Sequence, residues 1–212
     1  MLRVSEIFAS IQGETSFVGL PFAFVRLTGC NLRCRYCDTT YAYDDGEEIP
    51  LEEVVSRVTF FGIPRVTVTG GEPLLQEEAP ALVTALLDQG HTVLVETNGT
   101  IPLSRLDPRA IKIVDVKCPA SGEAGKTVWE NFAHLTARDE VKFVLSSEED
   151  YRFALEVIRK YGTAGSFKVL LAPAFGLLPP ERLAGWMVGD AIEARFQLQI
   201  HKLVWGPDRR GV

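Results

Sequence analysis

Apolar and β-branched residues gather along the chain in short runs bounded by turn residues. Phe22–Leu27, Arg65–Thr69, Thr92–Glu96, Lys112–Val116, Val141–Leu145, Phe167–Leu171 and Arg195–Leu203 each predict a strand. Between several of these the period changes. Leu51–Phe61, Glu78–Gln89 and Glu148–Tyr161 carry apolar residues three and four apart and predict helices, with Leu82, Val83, Leu86 and Leu87 in one stripe and Tyr151, Leu155 and Ile158 in another. Glu148, Glu149 and Asp150 suit the positive end of a helix dipole, and Gly62 and Gly90 stand where helices stop. The alternation implies parallel strands joined by right-handed helical crossovers. At roughly 30 residues per βα unit, the chain holds about six or seven units, short of the eight of a closed barrel. The expected fold is α/β, a partial, open (β/α) barrel of about six parallel strands, with residues 1–212 as a single domain. A flat doubly wound sheet has the same periodicity.

The unusual residues fall at the ends of these runs. Gly29-Cys30, Thr69-Gly70-Gly71-Glu72-Pro73, Glu96-Thr97-Asn98-Gly99 and Lys117-Cys118-Pro119 follow successive strands, where folds of this class assemble their sites. A net charge of −6 argues against a broad nucleic-acid surface. No apolar run approaches the ~18 residues that span a bilayer, and the start MLRVSEIF lacks a signal-peptide core, so a cytoplasmic protein with no membrane partner is expected. Cysteines in a reducing compartment are seldom disulfides, yet three of the four lie within eight residues.

Cys30, Cys34 and Cys37 form the pattern C-x3-C-x2-C. Structural zinc wants four protein ligands and no fourth lies nearby; a redox pair of Cys34 and Cys37 leaves Cys30 unexplained. Three thiolates on a short loop suit a 4Fe–4S cluster that keeps one iron open to a ligand. Cys118 is either a distant fourth ligand or a partly buried free thiol.

The cysteine segment resembles that of radical S-adenosylmethionine (SAM) enzymes. The resemblance implies that the open iron chelates SAM through its amino and carboxylate groups, and that one electron then cleaves SAM to methionine and a 5′-deoxyadenosyl radical. Tyr36 fits the aromatic position before the last cysteine. The segments Glu6–Glu14, Phe24–Cys30, Cys37-Asp38-Thr39, Thr69–Pro73, Glu96–Gly99 and His201-Lys202 extend the likeness over nearly the whole chain, to the 7-carboxy-7-deazaguanine synthase family. That family contracts 6-carboxy-5,6,7,8-tetrahydropterin to 7-carboxy-7-deazaguanine with loss of ammonia, on the route to queuosine. The likeness implies a homodimer and an electron donor such as flavodoxin or ferredoxin.

The same likeness distributes roles. Ile11, Gln12, Gly13, Glu14, Arg26 and Thr69 would bind the pterin. A guanidinium at Arg26 can grip its carboxylate bidentately, and Gly13 permits close backbone approach. Thr39 would ligate Mg2+. Tyr36, Asp38, Gly71, Glu72, Asp115, Val116, Lys117, Ala172 and Pro173 would meet SAM. The family usually reads Ser-Pro-Lys where this chain has Asp115-Val116-Lys117, and a glutamine is replaced beside Pro173, which leaves backbone or Phe175 for the adenine. Glu96 and His201 are either proton relays or satisfied structural groups. The tail from Trp205 to Val212 is expected to close over the pterin.

Three other readings compete. Ala120–Thr127 resembles a degenerate phosphate loop, with Ala120 in place of its first glycine. A cluster or zinc module without catalysis leaves Arg26 and the strand-end glycines idle. A radical SAM activase of a partner protein should lack the Gln12-Gly13-Glu14 and His201-Lys202 signatures.

Overall fold

The computed structural model describes residues 1–162 and 167–212. The chain opens with the strands β1 (Leu2–Ile11), β2 (Pro21–Leu27) and β3 (Glu47–Ile49), then α1 (Leu51–Phe60). There follow β4 (Arg65–Gly70), α2 (Ala79–Asp88), β5 (Thr92–Thr97), β6 (Ile111–Asp115), β7 (Glu140–Leu145), α3 (Glu148–Tyr161), β8 (Lys168–Pro173), α4 (Pro180–Gly189), β9 (Arg195–Phe196) and α5 (Ile200–Trp205). They form one sheet in the order β3-β1-β2-β4-β5-β6-β7-β8-β9. From β2 onward every pairing is parallel, while β1 runs antiparallel to β2 and to β3. The expected succession of parallel strands is present, extended at one edge by β1 and β3, which the periodicity did not reveal. β1 carries a register irregularity between Val4 and Glu6, and that break interrupts its alternation.

The two faces of the parallel strands have different chemistry. Val25, Leu27, Val66, Val68, Val93, Val95, Val114, Val141, Phe143 and Leu145 join a large core with α1 to α4, whose buried faces include Val54, Leu82, Leu86, Tyr151 and Leu183. The opposite, concave face starts apolar, with Phe22, Phe24, Leu94, Ile111 and Ile113 in a second cluster. Towards the carboxyl ends this face turns polar. Phe24 gives way to Arg26, Leu94 to Glu96 and Ile113 to Asp115, because residues two apart share a face of a strand. The sheet therefore presents a charged surface above an apolar floor.

The segment after β1 covers that floor from below. Ser16 donates from its backbone and its hydroxyl to the buried Glu140 at the start of β7, and Lys168 at the start of β8 donates to Ser16 Oγ at 3.0 Å. Phe17 packs edge-on to Phe22.

Two expectations change. Arg195–Leu203 is not one strand: only Arg195 and Phe196 pair with β8, and α5 follows. Phe196, Leu198 and Ile200 alternate as in a strand, but Ile200, Leu203 and Val204 stand three and four apart, and the helical period prevails there. Ala120–Thr127 is no phosphate loop. It holds two short 3-10 turns, Pro119–Ser121 and Ala124–Lys126, and Lys126 pairs with Glu123 at 2.9 Å. Its contacts run to the cysteine segment: Glu123 accepts the Arg33 N–H at 2.8 Å and Ser121 O accepts that of Arg35 at 3.1 Å.

Candidate active site

A cavity of about 850 Å3 lies on the concave face, and Cys30, Cys34 and Cys37 line its wall. All three thiols are free, whereas Cys118 is buried in the outer core with its thiol 3.8 Å from Val116 O and takes no part in the cavity. Burial pushes the Cys34 thiol up to about 11 and raises Cys30 as well. A reactive redox thiol needs the opposite shift at Cys34, and a bound cation would favour its thiolate. Among the described residues no three Cys, His, Asp or Glu side chains converge tightly enough for a single metal ion. Three free thiols on one loop at the cavity wall suit the several irons of a cluster.

The loop is held from beneath. Glu72 N–H donates to Gly29 O at 2.8 Å and Gly71 N–H to Leu27 O at 3.3 Å, which draws the turn after β4 against the cysteine loop. A Cβ on Gly71 would stand 2.4 Å from Gly29 O and 2.6 Å from Cys30 Cβ. Glycine is required there by the cysteine loop itself.

Arg26, near the end of β2, donates from Nε to Glu6 Oε1 at 2.6 Å, and Tyr41 donates to the same oxygen at 2.8 Å. Among the described residues neither Nη group has a protein partner, so both remain for a planar anion. Thr69 donates to Glu96 Oε2 at 3.2 Å, and Gln12 Nε2 reaches Glu96 Oε1 at 3.4 Å and Thr67 Oγ1 at 3.2 Å. Burial raises the Glu96 carboxyl and Glu14 adds to the effect; Lys142, Arg26 and Thr69 oppose it without cancelling it. Glu96 thus holds its proton to higher pH than an ordinary glutamate.

Beyond Glu96 the charges alternate. Lys142 of β7 lies 2.7 Å from Glu14 Oε2 and 3.4 Å from Asp115 Oδ2, and Lys117 lies 3.1 Å from that same Asp115 oxygen. Burial alone would raise Glu14 and Asp115, but the ammonium groups bring both below the usual range; the lysines rise in turn. Among the described residues Asp115 Oδ1 is buried without a partner. An acceptor left bare at a cavity wall suits a donor on a bound molecule.

The far wall comes from α5. Gln199, just before it, donates to Glu14 Oε1 at 2.7 Å and accepts from Lys202 at 2.8 Å, and Lys202 also pairs with Asp38. Burial opposes the Asp38 charge, yet Lys202 outweighs it and drives that carboxyl far down. Thr39 donates to Asp38 Oδ1 at 2.9 Å, which leaves its oxygen lone pairs for a hard cation. Ile200 N–H donates to Gly13 O, and a Cβ on Gly13 would lie 1.9 Å from His201 Nδ1. The close neighbour that Gly13 admits is His201, whose imidazole burial shifts down.

The cavity thus gathers Ile11 to Glu14, Arg26, Tyr36, Asp38, Thr39, Thr69, Gly71, Glu96, Asp115, Lys117 and His201 with the three cysteines, and the tail from Pro207 to Val212 reaches its rim. Four expected positions do not reach it. Glu72 is fully buried and saturated by the N–H groups of Leu74 and Asn98 and the Thr97 hydroxyl. The Val116 side chain lies in the core and its N–H binds Lys142 O; Ala172 and Pro173 are buried in β8, and Ala174 and Phe175 line the cavity in their place. Sequence reading missed Glu6, Tyr41, Lys142 and Gln199. Glu6 stands opposite Arg26 on β1, a strand the periodicity did not reveal, and Gln199 reaches the cavity only through the fold.

Residues 24–173 match the sequence profile of the Radical SAM superfamily. The 7-carboxy-7-deazaguanine synthase of Chlorobaculum tepidum is 48% identical over all of this chain and 97% of its own length, and that of Koribacter versatilis 42% over all of both. The crystal structure of QueE from Escherichia coli superposes with a TM-score of 0.78 over 93% of each chain at 22% identity, which bears on the fold alone. The chain belongs to the 7-carboxy-7-deazaguanine synthase family of the radical SAM superfamily.

Proposed function

We propose that this enzyme converts 6-carboxy-5,6,7,8-tetrahydropterin to 7-carboxy-7-deazaguanine with release of ammonia, in queuosine or related 7-deazapurine synthesis. The observation that carries the reading is that Arg26, whose two Nη groups have no protein partner among the described residues, faces the same cavity as three free thiols on the cysteine loop.

Cys30, Cys34 and Cys37 hold a 4Fe–4S cluster, and Tyr36, Asp38, Gly71, Asp115 and Lys117 surround SAM. When bound, cluster and SAM supply a one-electron cleavage that yields a hydrogen-abstracting carbon radical. Arg26 fixes the substrate carboxylate, and Thr39 would offer its hydroxyl oxygen to Mg2+. Gln12 and Thr69 hold the Glu96 carboxylate by hydrogen bonds and line the cavity where the heterocycle binds. Glu96 takes up a proton at Oε1 or Oε2 during ring contraction, and His201, kept neutral by burial, exchanges protons through its ring nitrogens. The apolar floor of Phe22, Phe24, Leu94 and Ile113 excludes water beneath the substrate.

No helix among the described residues is long and apolar enough to cross a membrane. A cytoplasmic homodimer reduced by a flavodoxin- or ferredoxin-like protein is the working form we infer from the family. The test is anaerobic incubation of the cluster-loaded enzyme with SAM, Mg2+, a reductant and carboxytetrahydropterin. Mass analysis should show the deazaguanine product and about one cluster per chain. Tightly bound zinc without iron, or no product from an iron-loaded enzyme, would refute the assignment.

A further inference from the structure

Lys142 joins two halves of the cavity that, among the described residues, share no other side-chain ion pair. On one side it meets Asp115, its cross-strand neighbour, which also holds Lys117. On the other it meets Glu14, whose second oxygen binds Gln199 and whose backbone N–H donates to Gln12 at 3.1 Å. Among the described residues no other side-chain hydrogen bond or ion pair connects the Asp115–Lys117 pair to the rest of the cavity. The ammonium is 9% exposed, so solvent does little to screen it. Without it, Glu14 and Asp115 would lose the ammonium they share, leaving Lys117 on the far side of Asp115 and the Arg26 guanidinium near Glu96 as the cations facing these buried carboxylates.

We infer that Lys142 is a positioning residue that couples the two ligand-binding halves: one ammonium neutralises Glu14 and Asp115 together, so a change at either carboxylate alters the other and the ligand beside it. The inference rests on the proposed function for the identity of those ligands, with the pterin beside Glu14 and SAM beside Asp115. Its direction follows from the distances. The ammonium leans towards Glu14, at 2.7 Å against 3.4 Å for Asp115. If Glu14 loses its charge, the ammonium passes to Asp115, and the bare Asp115 Oδ1 then attracts a ligand ammonium less strongly.

The experiment measures SAM binding by equilibrium dialysis to the cluster-loaded enzyme without reductant, so that no turnover occurs. Glu14→Gln, a change on the pterin side, should weaken SAM binding about three- to tenfold, the usual size of coupling between neighbours in one ion-pair network. In a Lys142→Met background the same change should have less than about a twofold effect, and Lys142→Arg should restore the coupling. A residue needed only for folding would lower melting temperature without making the Glu14→Gln effect depend on Lys142. Should Lys142→Met fail to fold, Lys142→Gln, which keeps a donor without the charge, is read the same way. Product formation with a Glu14→Gln effect on SAM that is absent, or equal in both backgrounds, overturns the coupling alone. Absence of SAM binding by the unsubstituted holoenzyme overturns the proposed function and this inference with it.

Discussion

Replacing Gly71 by alanine should empty the cysteine loop of iron while leaving the fold in place. The added Cβ would lie 2.4 Å from Gly29 O, 2.9 Å from Gly29 C and 2.6 Å from Cys30 Cβ. Two of these atoms are backbone, so no rotamer change relieves the overlap, and the shortfall from ordinary contact is about 1 Å. The methyl must push the β4 turn and the cysteine loop apart against the Glu72 N–H to Gly29 O bond. Overpacking of this kind costs about 1–3 kcal/mol, and in a chain of this size each kcal/mol lowers the melting temperature by roughly 2–4 °C. The variant should therefore melt about 2–12 °C lower and still fold. Metal ligands tolerate only about 0.2 Å of displacement, so moving Cys30 by a large part of an ångström should cost most of the cluster. Iron and sulfide per chain after anaerobic reconstitution, with circular dichroism for the fold, give the answer. Gly125→Ala is the control, because its Cβ would meet nothing within 4 Å, and it should load fully. Full iron content in Gly71→Ala would show that the turn does not set the loop's position.

The remaining predictions concern the substrate side. Arg26→Lys should raise the KM for the pterin about 10- to 100-fold with SAM affinity unchanged, because a single ammonium would be taken by Glu6, and charge-assisted bonds to a carboxylate are worth roughly 1.5–3 kcal/mol; steady-state kinetics and SAM dialysis separate the two effects, and an unchanged KM would remove Arg26 from the carboxylate. The buried Glu96 carboxyl is held above its ordinary range, so a proton acceptor there is lost as pH falls through a value higher than the usual glutamate pKa of about 4.3. The acid limb of kcat against pH should lie on the neutral side of that value and disappear in Glu96→Gln, and a limb that persists in that variant would assign it to another group.

Much of the site was legible because the strands end where the periodicity says they do. Once β2, β4, β5 and β6 are placed, Cys30, Gly71, Asn98 and Lys117 must fall at one end of one sheet, and parallel pairing brings them together without any knowledge of side-chain contacts. Glu72 misled for a related reason. It follows two glycines at a strand end and looks aimed at a ligand, but the turn folds it inward, where Thr97 and Asn98 of the neighbouring strand end satisfy it. The Gln12–Glu14 segment lies at the opposite end of the sheet, because β1 runs antiparallel, and sequence alone does not show that it closes the cavity from below.

Lys142 marks the physical limit of such a reading. A parallel strand covered on both faces is mostly apolar along its length, so a charge in its middle passes as an irregularity of the core. Its meaning depends on which face it takes. Val141 and Phe143 pack outward under α3, so Lys142 is forced inward, opposite Asp115 and above the apolar floor. Lys112 makes the contrast: it is also mid-strand and buried, but it stands on the outer face, where Asp139 pairs with it at 3.3 Å away from the cavity. Two lysines in like sequence settings thus receive different tasks from the parity of their positions, and that parity becomes readable only when the register of β6 against β7 is known.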